Sequence, residues 1–374
     1  MNVPRLGVVV IGGGTGSEHD VSVASASAIA AALDRDRYAV IELTIDPNGS
    51  WSHTGAAPLA DDLADAVRVL SRADVVIPAL HGPHGEDGTV AALLDLVGTP
   101  YIGSGVFAGA VAMDKAATKL IAAAAGVATA PGIQVRSAHD PRLADLAGCG
   151  IPLPVVVKPT RAGSSHGVAV VRDPVGLTPN EGLALQNDPA LQIGPGPQNG
   201  PALQNGPALR NGPSLRDAVA SALALDDSAL VERFVIGREI DIAVIERADG
   251  SLQCGPAREI GVPVGGIFGT AEKYDGEPDF HIPAPVSDET RVQLECAAET
   301  MFRALGCRGL ARVDFFLTTD GIVLNEVNTF PGFTSHSQVP RMFAAAGVDY
   351  ASLLDILIDT AMVRANGRRI RSRV

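Results

Sequence analysis

The 374-residue sequence has few cysteines and no long apolar run. The cysteines show no CxxC spacing and no signal peptide precedes them, so we expect reduced thiols in the cytosol. They are Cys149, Cys254, Cys296 and Cys307. The apolar start, Leu6 to Ile11, is too short for a targeting segment, and no stretch approaches the ~20 apolar residues of a membrane-spanning helix. We therefore predict a cytoplasmic protein without a membrane partner.

Positive charge and aromatic side chains are also scarce. The formal net charge of −13 argues against nucleic acid or an anionic membrane as the main partner, since both attract basic patches. A local phosphate site remains compatible with this total. The composition, 46% hydrophobic and 19% charged with only 4% aromatic, is typical of a globular α/β protein rich in alanine and valine. Its length gives room for two or three domains.

Lysine is the rarest cation, with 4 lysines against 25 arginines. A compact ammonium on a flexible stem contacts phosphate as a point charge, and arginine does not substitute for it at every such site. The lysines therefore mark candidate phosphate contacts, although four residues are also compatible with chance. They are Lys115, Lys119, Lys158 and Lys273.

The first hundred residues alternate between strand and helix patterns, which predicts a parallel, doubly wound sheet. The predicted strands are Leu6 to Ile11, Ala39 to Ile45 and Asp74 to Ala79, and the predicted helices are Val21 to Leu33, Leu63 to Ser71 and Thr89 to Leu96. The glycine-rich stretch Gly98 to Gly105 predicts a domain boundary.

Beyond this boundary we predict a central domain over 104–231, a C-terminal domain over 232–366 and a basic tail over 367–374, after an N-terminal domain over 1–103. Residues 177–216 are dense in Gly, Pro and Asn, which predicts a disordered surface insertion. The other predicted elements are a helix after Asp114, strands at Val155 to Lys158, Val168 to Val171, Leu230 to Val235 and Glu239 to Ile245, and helices at Leu215 to Leu225, Asp288 to Leu305 and Tyr350 to Ala365. A Gly- and Pro-rich passage that ends at Pro285 shows little regular pattern.

Two short apolar runs, Leu310 to Leu317 and Ile322 to Val327, are separated by turn residues and predict an antiparallel hairpin. A three-residue loop over 319–321 places Asp314 opposite Glu326 and Arg312 opposite Asn328, all on one face; a two- or four-residue loop would put Asp314 on the wrong side. Oxygen ligands that converge in this way suit Mg²⁺, because Mg²⁺ takes few protein ligands and fills its other coordination positions with water and phosphate. A solvated sheet face is the alternative.

The loop from Lys158 to Gly167 joins two valine-rich strands and consists largely of small residues whose backbone N–H groups suit phosphate. It is not a Walker A motif, and an ordinary glycine turn is the alternative.

The turn from Gly12 to Ser22 lacks the last glycine of a dinucleotide fingerprint. Its Glu18 either binds a substrate ammonium or complements a helix dipole.

The loop from His81 to Gly88 follows a strand at the carboxyl edge where open α/β sheets bind ligands. His81 is a candidate substrate contact or part of a glycine turn, and no third ligand supports a zinc site with His84.

The segment Glu272 to Gly276 lies in the Gly- and Pro-rich passage with little regular structure around it, which is typical of a mobile active-site lid. A surface turn is the alternative.

Taken together, these motifs resemble the ATP-grasp superfamily, and within it the D-alanine–D-alanine ligases. The resemblance implies an ATP-grasp fold preceded by a doubly wound, Rossmann-like N-terminal domain. The matching motifs, in order, are Gly13 to Ser22, His81 to Gly88, Met113 to Lys115, Lys158 to Gly167, Val231 to Glu232, Glu272 to Tyr274, Ala311 to Asp314 and Asn325 to Ser337.

The resemblance implies a cytoplasmic homodimer that joins two D-alanines for peptidoglycan precursors while ATP is cleaved to ADP and phosphate. The implied ATP-binding residues are Lys115, Lys158, Ser165, Glu232 and Glu239. The implied ligands of two Mg²⁺ or Mn²⁺ ions are Asp314, Glu326 and Asn328.

By the same resemblance, Glu18 binds the ammonium of the first D-alanine and His81 lies close by. Arg312 and the Gly332 backbone N–H form an oxyanion hole. The implied partners of the second substrate are Lys273, Ser335 and Ser337, and a latch over the site consists of Ser164, Tyr274 and Glu18.

Several alternatives remain at this stage. Related ligases accept D-serine or D-lactate second; in the family a lid histidine marks the D-lactate type, so Tyr274 favours D-alanine over D-lactate. Another carboxylate–amine ligase of the superfamily would lack Glu18, Tyr274 and the loop from Ser335 to Ser337. A catalytically dead nucleotide-binding regulator would lack a metal ligand or Arg312, and all of them are present.

Overall fold

The computed structural model describes residues 4–55, 59, 62–163, 165–172, 213–261 and 280–371, with side chains to residue 367. Ser164, Lys273, Tyr274 and most of the predicted insertion lie outside the described residues. The strands are β1 Leu6–Gly13, β2 Tyr38–Ile45, β3 Trp51–His53, β4 Val75–Pro78, β5 Gly132–Val135, β6 Val155–Pro159, β7 Ala169–Val171, β8 Ala229–Arg233, β9 Arg238–Glu246, β10 Leu252–Cys254, β11 Arg258–Ile260, β12 Phe280–His281, β13 Leu310–Thr318 and β14 Gly321–Asn328. The α-helices are α1 His19–Ala32, α2 Leu63–Leu70, α3 Thr89–Val97, α4 Val106–Met113, α5 Lys115–Ala124, α6 Leu215–Leu223, α7 Asp288–Ala304, α8 Gln338–Ala345 and α9 Tyr350–Arg371.

These elements form two compact units, Met1–Thr129 with Val235–Val374, and Ala130–Phe234. This grouping follows contacts within the folded chain, whereas the boundaries at 103 and 231 follow changes in sequence pattern and stay a prediction.

The first unit begins with a sheet of order β3-β2-β1-β4, in which β1 pairs in parallel with β2 and β4. Successive residues of β1 enter two different cores: Val8 packs in one that includes Ile29 of α1, and Val9 packs in another that includes Leu94 of α3. Both faces of the sheet are therefore covered, as the alternating pattern predicts. The short edge strand β3 is antiparallel to β2 and was not predicted.

The second sheet of this unit is antiparallel, with order β12-β11-β9-β13-β14 and β10 beside β9. Its apolar face packs on α7 through Leu294 and Met301, among other fully buried side chains. The opposite row of polar side chains forms the candidate site described below.

The second unit is an antiparallel sheet of order β5-β8-β6-β7 with α6 packed on it. Val155, Val157 and Val231 face Val219 in its core. The helix α6 begins at Leu215, as predicted, because Ser214 accepts a hydrogen bond from the Asp217 N–H and caps it. The predicted ends of the insertion and of the domain before the tail were wrong. Leu215 and Arg216 already belong to α6. The helix α9 continues to Arg371, so residues 367–371 of the predicted tail are helical.

Candidate functional site

The hairpin of β13 and β14 has the predicted pairing but a different turn. Arg312 lies opposite Asn328 and Asp314 opposite Glu326, as predicted. The predicted three-residue loop is wrong, because Thr318 pairs with Gly321 and encloses only two residues. A β-bulge between Asp314 and Phe315, where Asn325 is the extra residue of β14, restores the register. A two-residue loop is therefore compatible with the polar face.

This row of side chains continues across the sheet through residues that sequence analysis missed. Asp241 of β9 lies opposite Asp314, and Arg258 of β11 lies opposite Asp241. Both are buried, and the Arg258 guanidinium donates hydrogen bonds to Asp241 Oδ2, one of them at 3.0 Å. Asp241 lies in a predicted strand but has no motif around it, and Arg258 lies in the Gly- and Pro-rich passage for which no regular structure was predicted.

Arg312 is held by its own strand and by α8. Its Nε donates to Asp314 Oδ1 at 2.7 Å and its Nη2 to Asp314 Oδ2 at 2.6 Å, a bidentate pair, while Nη1 donates to the Gln338 side-chain oxygen. Burial lowers the pKa of Arg312, but the carboxylates of Asp314, Asp241 and Glu326 raise it by more. The guanidinium is a fixed cation beside the carboxylate row.

The environment of Asp314 suits a bound divalent cation. Burial raises the pKa of Asp314, Arg312 opposes this, and the charges of Asp241 and Glu326 raise the pKa further. The Asn328 amide donates to Asp314 Oδ2 at 3.2 Å, and rotation of the amide would present its oxygen instead. Two carboxylates and an amide oxygen are hard ligands of the kind Mg²⁺ prefers. Among the described residues, no group of three or more His, Cys, Asp or Glu side chains could hold a metal ion, so a metal site in this row would need Asn328 as a further ligand.

Lys115, the first residue of α5, faces the same hairpin. Its Nζ lies 3.7 Å from Glu326 Oε2, and Asp114 caps the helix by accepting from the N–H groups of Ala116 and Ala117. The cap fixes where α5 begins, and hence where Lys115 stands. One of the scarce lysines thus lies at the carboxylate row.

His81 is buried and both of its ring nitrogens have protein partners. Nδ1 lies 3.0 Å from the carbonyl oxygen of Phe330, and Nε2 lies 3.0 Å from Ser25 Oγ. Burial lowers the pKa of His81, which the nearby charge of Glu18 opposes. A direct hydrogen bond from His81 to substrate would therefore require the loss of one of these contacts.

Glu18 and Glu86 complete this side of the site. Glu18 Oε2 lies against Gly82, 2.7 Å from where a Cβ would stand, and the φ of +71° at Gly82 favours glycine at this position. Glu86 accepts from the Gly82 N–H at 2.8 Å and the Phe330 N–H at 3.4 Å. Burial raises the pKa of Glu86 to about 8. Glu86 belongs to the motif from His81 to Gly88, but no role was predicted for it from the sequence.

The segment Thr329–Ser337, which we call the Gly332 loop, follows β14. Ser337 Oγ accepts from the Thr334 N–H at 2.9 Å, and a Cβ at Gly332 would meet that oxygen at 3.5 Å. Ser337 is half-buried at the start of α8, whereas Ser335 is exposed. The loop therefore turns back tightly beside Gly332.

In the second unit, Lys158 of β6 and Glu232 of β8 form a buried ion pair at 2.5 Å. Ser165 follows in the loop after β6 and has φ +59°, in the left-handed region that non-glycine residues rarely adopt. Glu239, the remaining predicted nucleotide contact, is half-buried on β9 of the first unit. The structure describes every predicted site residue except Ser164, Lys273 and Tyr274.

Comparison with known proteins identifies the family. The family model described as D-ala D-ala ligase N-terminus matches residues 7–71 and 61–104, and that described as D-ala D-ala ligase C-terminus matches 208–359. A D-alanine–D-alanine ligase of Mycolicibacterium smegmatis is 37% identical over 409 residues, covering 98% of each chain. The chain belongs to the D-alanine–D-alanine ligase family.

Solved structures of the family agree with this assignment. The VanG D-Ala:D-Ser ligase from Enterococcus faecalis has a TM-score of 0.74 at 28% identity, covering 96% of this chain and 100% of that one. The D-alanine–D-alanine ligase from Coxiella burnetii has a TM-score of 0.73 at 27% identity, covering 99% and 98%. The predicted fold, an ATP-grasp fold after a Rossmann-like N-terminal domain, is confirmed. In the described part of the chain, no helix has the length and apolarity needed to cross a membrane.

Proposed function

We propose that this protein joins two D-alanines into D-alanyl-D-alanine for peptidoglycan precursor synthesis, with ATP cleaved to ADP and phosphate. The observation that carries the proposal is the face on which Arg312, Asp314, Glu326 and Asn328 stand in two directly opposed pairs. A fixed cation beside paired carboxylates is the combination that phosphoryl transfer followed by acyl transfer requires.

In the first step, a carboxylate oxygen of the first D-alanine attacks the γ-phosphorus of ATP. The bond from that phosphorus to the β–γ bridging oxygen breaks, ADP leaves, and an acyl phosphate remains. Glu18 holds the substrate ammonium, and its position against Gly82 supports this role. His81 and Glu86 fix the loop that carries Gly82.

In the second step, the ammonium of the second D-alanine releases a proton to solvent, and the resulting amine attacks the acyl carbon. The nitrogen then releases a second proton to solvent. The tetrahedral intermediate carries an oxyanion, which Arg312 and the Gly332 N–H stabilise. Its collapse breaks the bond from carbon to the phosphate oxygen, so dipeptide and phosphate form. Ser335, Ser337 and Lys273 bind the carboxylate of the second substrate in this proposal.

The metal ligands in this proposal are Asp314, Glu326 and Asn328, which hold two Mg²⁺ or Mn²⁺ ions. Bound cations would neutralise charge on the transferring phosphoryl group. Their binding would also relieve the repulsion between Asp314 and its neighbouring carboxylates. The proposed nucleotide contacts are Lys115, Lys158, Ser165, Glu232 and Glu239, and the proposed latch consists of Ser164, Tyr274 and Glu18. We propose that the enzyme works in the cytoplasm as a homodimer.

A second candidate is a D-alanine–D-serine ligase, since the similarity to the VanG D-Ala:D-Ser ligase is as strong as to D-alanine–D-alanine ligases of known structure. Phosphate release with ATP and Mg²⁺ should be measured with D-alanine alone, and then with D-serine or D-lactate added, with chromatography of the dipeptides. We expect D-alanine alone to support turnover and D-alanyl-D-alanine to dominate the mixed products. No release with D-alanine alone would refute the main proposal, and a predominance of D-alanyl-D-serine would favour the second.

A further inference from the structure

The backbone around Gly332 is held by side chains that lie far away in the sequence. The Phe330 N–H donates to Glu86, the Phe330 carbonyl oxygen lies 3.0 Å from His81 Nδ1, and the Phe333 N–H donates to Ser25 Oγ at 3.1 Å. The Tyr350 hydroxyl also donates to the Phe333 carbonyl oxygen. Both residues that flank Pro331 and Gly332 are therefore fixed at their main-chain atoms.

The Gly332 N–H lies between these fixed main-chain atoms of Phe330 and Phe333. Pro331 has no N–H, and the N–H groups of Phe333 and Thr334 already have acceptors in Ser25 and Ser337. Within the described part of the chain, no group accepts a hydrogen bond from the Gly332 N–H. The loop thus leaves the Gly332 N–H available for a ligand, whereas the N–H groups of Phe330, Phe333 and Thr334 are bonded to side chains.

The Phe330 carbonyl oxygen sets the direction of the hydrogen bonds around Gly332. It can only accept, so the proton of the neutral His81 ring lies on Nδ1 and is donated to this oxygen. His81 Nε2 is then an acceptor and takes the Ser25 hydroxyl proton, 3.0 Å away, while Ser25 Oγ accepts from the Phe333 N–H. Burial, which lowers the pKa of His81, also favours this neutral ring.

We propose that Ser25, acting directly and through His81, is a positioning residue that holds the Gly332 N–H in place for the oxyanion of the second step. This inference rests on the proposed function. Ser25 lies on α1, is fully buried, and is 308 residues from Phe333 in the chain. A displacement of the order of 1 Å at such a donor slows a reaction about 10²-fold.

A matched pair of variants tests this role. Ser25→Ala removes the hydroxyl that faces the Gly332 loop, and Ser22→Ala removes an equally buried hydroxyl on the same helix that donates to the Ala79 carbonyl oxygen at 2.6 Å. Thermal unfolding of both variants reports the general loss of a buried hydrogen bond. Ser25→Cys, which keeps most of the volume but has a weak donor, replaces Ser25→Ala if that variant does not fold.

The two chemical steps are followed separately in each variant. ATP labelled with ¹⁸O at the β–γ bridge scrambles its label when the acyl phosphate forms reversibly with D-alanine, and dipeptide formation reports the whole reaction. We expect Ser25→Ala to lower kcat for dipeptide about 10- to 100-fold while label scrambling changes by less than about threefold. We expect Ser22→Ala to leave both rates within about threefold of the wild type.

Each other outcome has a distinct meaning. Equal loss of both rates in Ser25→Ala, or equal behaviour of the two serine variants, would overturn the positioning role and leave the proposed function standing. Absence of dipeptide with the wild-type protein would instead remove the proposed function and, with it, the inference about Ser25.

Discussion

Asp241 on β9 lies directly opposite Asp314 on β13, and each carboxylate is ion-paired with an arginine of its own. Like charges opposite each other on neighbouring strands are destabilising, so each arginine offsets a repulsion. Arg258 has a buried partner in Asp241, whereas Arg312 and Asp314 keep side-chain exposures of 15% and 12%. We infer that the Arg258 pair stabilises the sheet and that the Arg312 pair remains accessible to substrate and metal.

Removal of Arg258 should destabilise the fold strongly. Arg258→Met leaves Asp241 as an unpaired buried carboxylate, so we expect the free energy of unfolding to fall by about 3–5 kcal/mol. In Asp241→Leu with Arg258→Met, no charge is left unpaired, and we expect most of that loss to be recovered. Urea unfolding of the wild type and both variants checks this. A double variant no more stable than Arg258→Met would contradict the argument.

Removal of Arg312 should damage catalysis more than nucleotide binding. We expect Arg312→Ala to lower kcat for dipeptide about 10²- to 10³-fold with little change in the KM for ATP, since the interaction is made in the transition state. Arg312→Lys should recover only part of the rate because an ammonium lacks the planar fork. Arg308→Ala, an exposed arginine paired with Glu246, is the control. Turnover that survives in Arg312→Ala would exclude the oxyanion role.

The ionisation of Glu86 should make stability depend on pH. Its pKa is raised in the folded state from the usual 4.5 to about 8 by burial, so the folded protein holds a proton that the unfolded chain has lost. Stability from this group is therefore present below pH 4.5 and is lost as pH rises towards 8, by at most about 1.4 kcal/mol per pH unit. Urea unfolding between pH 5 and 8 should show a steeper decline in the wild type than in Glu86→Gln, in which Asp314, whose pKa burial also raises, still titrates. Parallel curves for the two proteins would refute it.

Lys158 should matter for ATP and not for D-alanine. A charge-assisted hydrogen bond contributes about 1.5–3 kcal/mol, so we expect Lys158→Met to raise the KM for ATP about 10- to 100-fold. Lys119→Met is the matched control, since Lys119 is also one of the four lysines but is not among the proposed nucleotide contacts. Because Lys158→Met also leaves Glu232 buried without its cation, its melting temperature should be compared with that of Lys158→Met with Glu232→Gln. A larger effect on the KM for D-alanine would contradict the assignment.

Much of the site could be predicted from the sequence because its determinants are local. Alternation of apolar and polar residues predicted the faces of β13 and β14. The pairs Arg312–Asn328 and Asp314–Glu326 were predicted from a three-residue loop that was wrong, and they form because the bulge at Asn325 offsets the shorter loop. The bulge could not be predicted, since a residue count across a turn does not reveal where an extra residue is accommodated. Strands as short as β11 and β12 have no pattern of their own and form by pairing with neighbours.

Residues whose partners are distant in the chain were missed for a related reason. Ser25 lies among alanines and serines of a buried helix, and its contacts with His81 and Phe333 distinguish it from Ser22. Asp241 lies in an apolar strand, and its pairing with Arg258 depends on the order of strands in the sheet. Such roles arise from the assembled fold and leave no periodic signal.

The bulge at Asn325 has a practical consequence for the hairpin tip. Thr318 and Gly321 close the ladder, so Thr319 and Asp320 lie outside it and are exposed. Residues added at the tip therefore lie outside the ladder that pairs Asp314 with Glu326. A short epitope or a fluorophore-bearing peptide spliced between these two residues would label the enzyme close to its catalytic sheet without altering the geometry of Asp314 and Glu326.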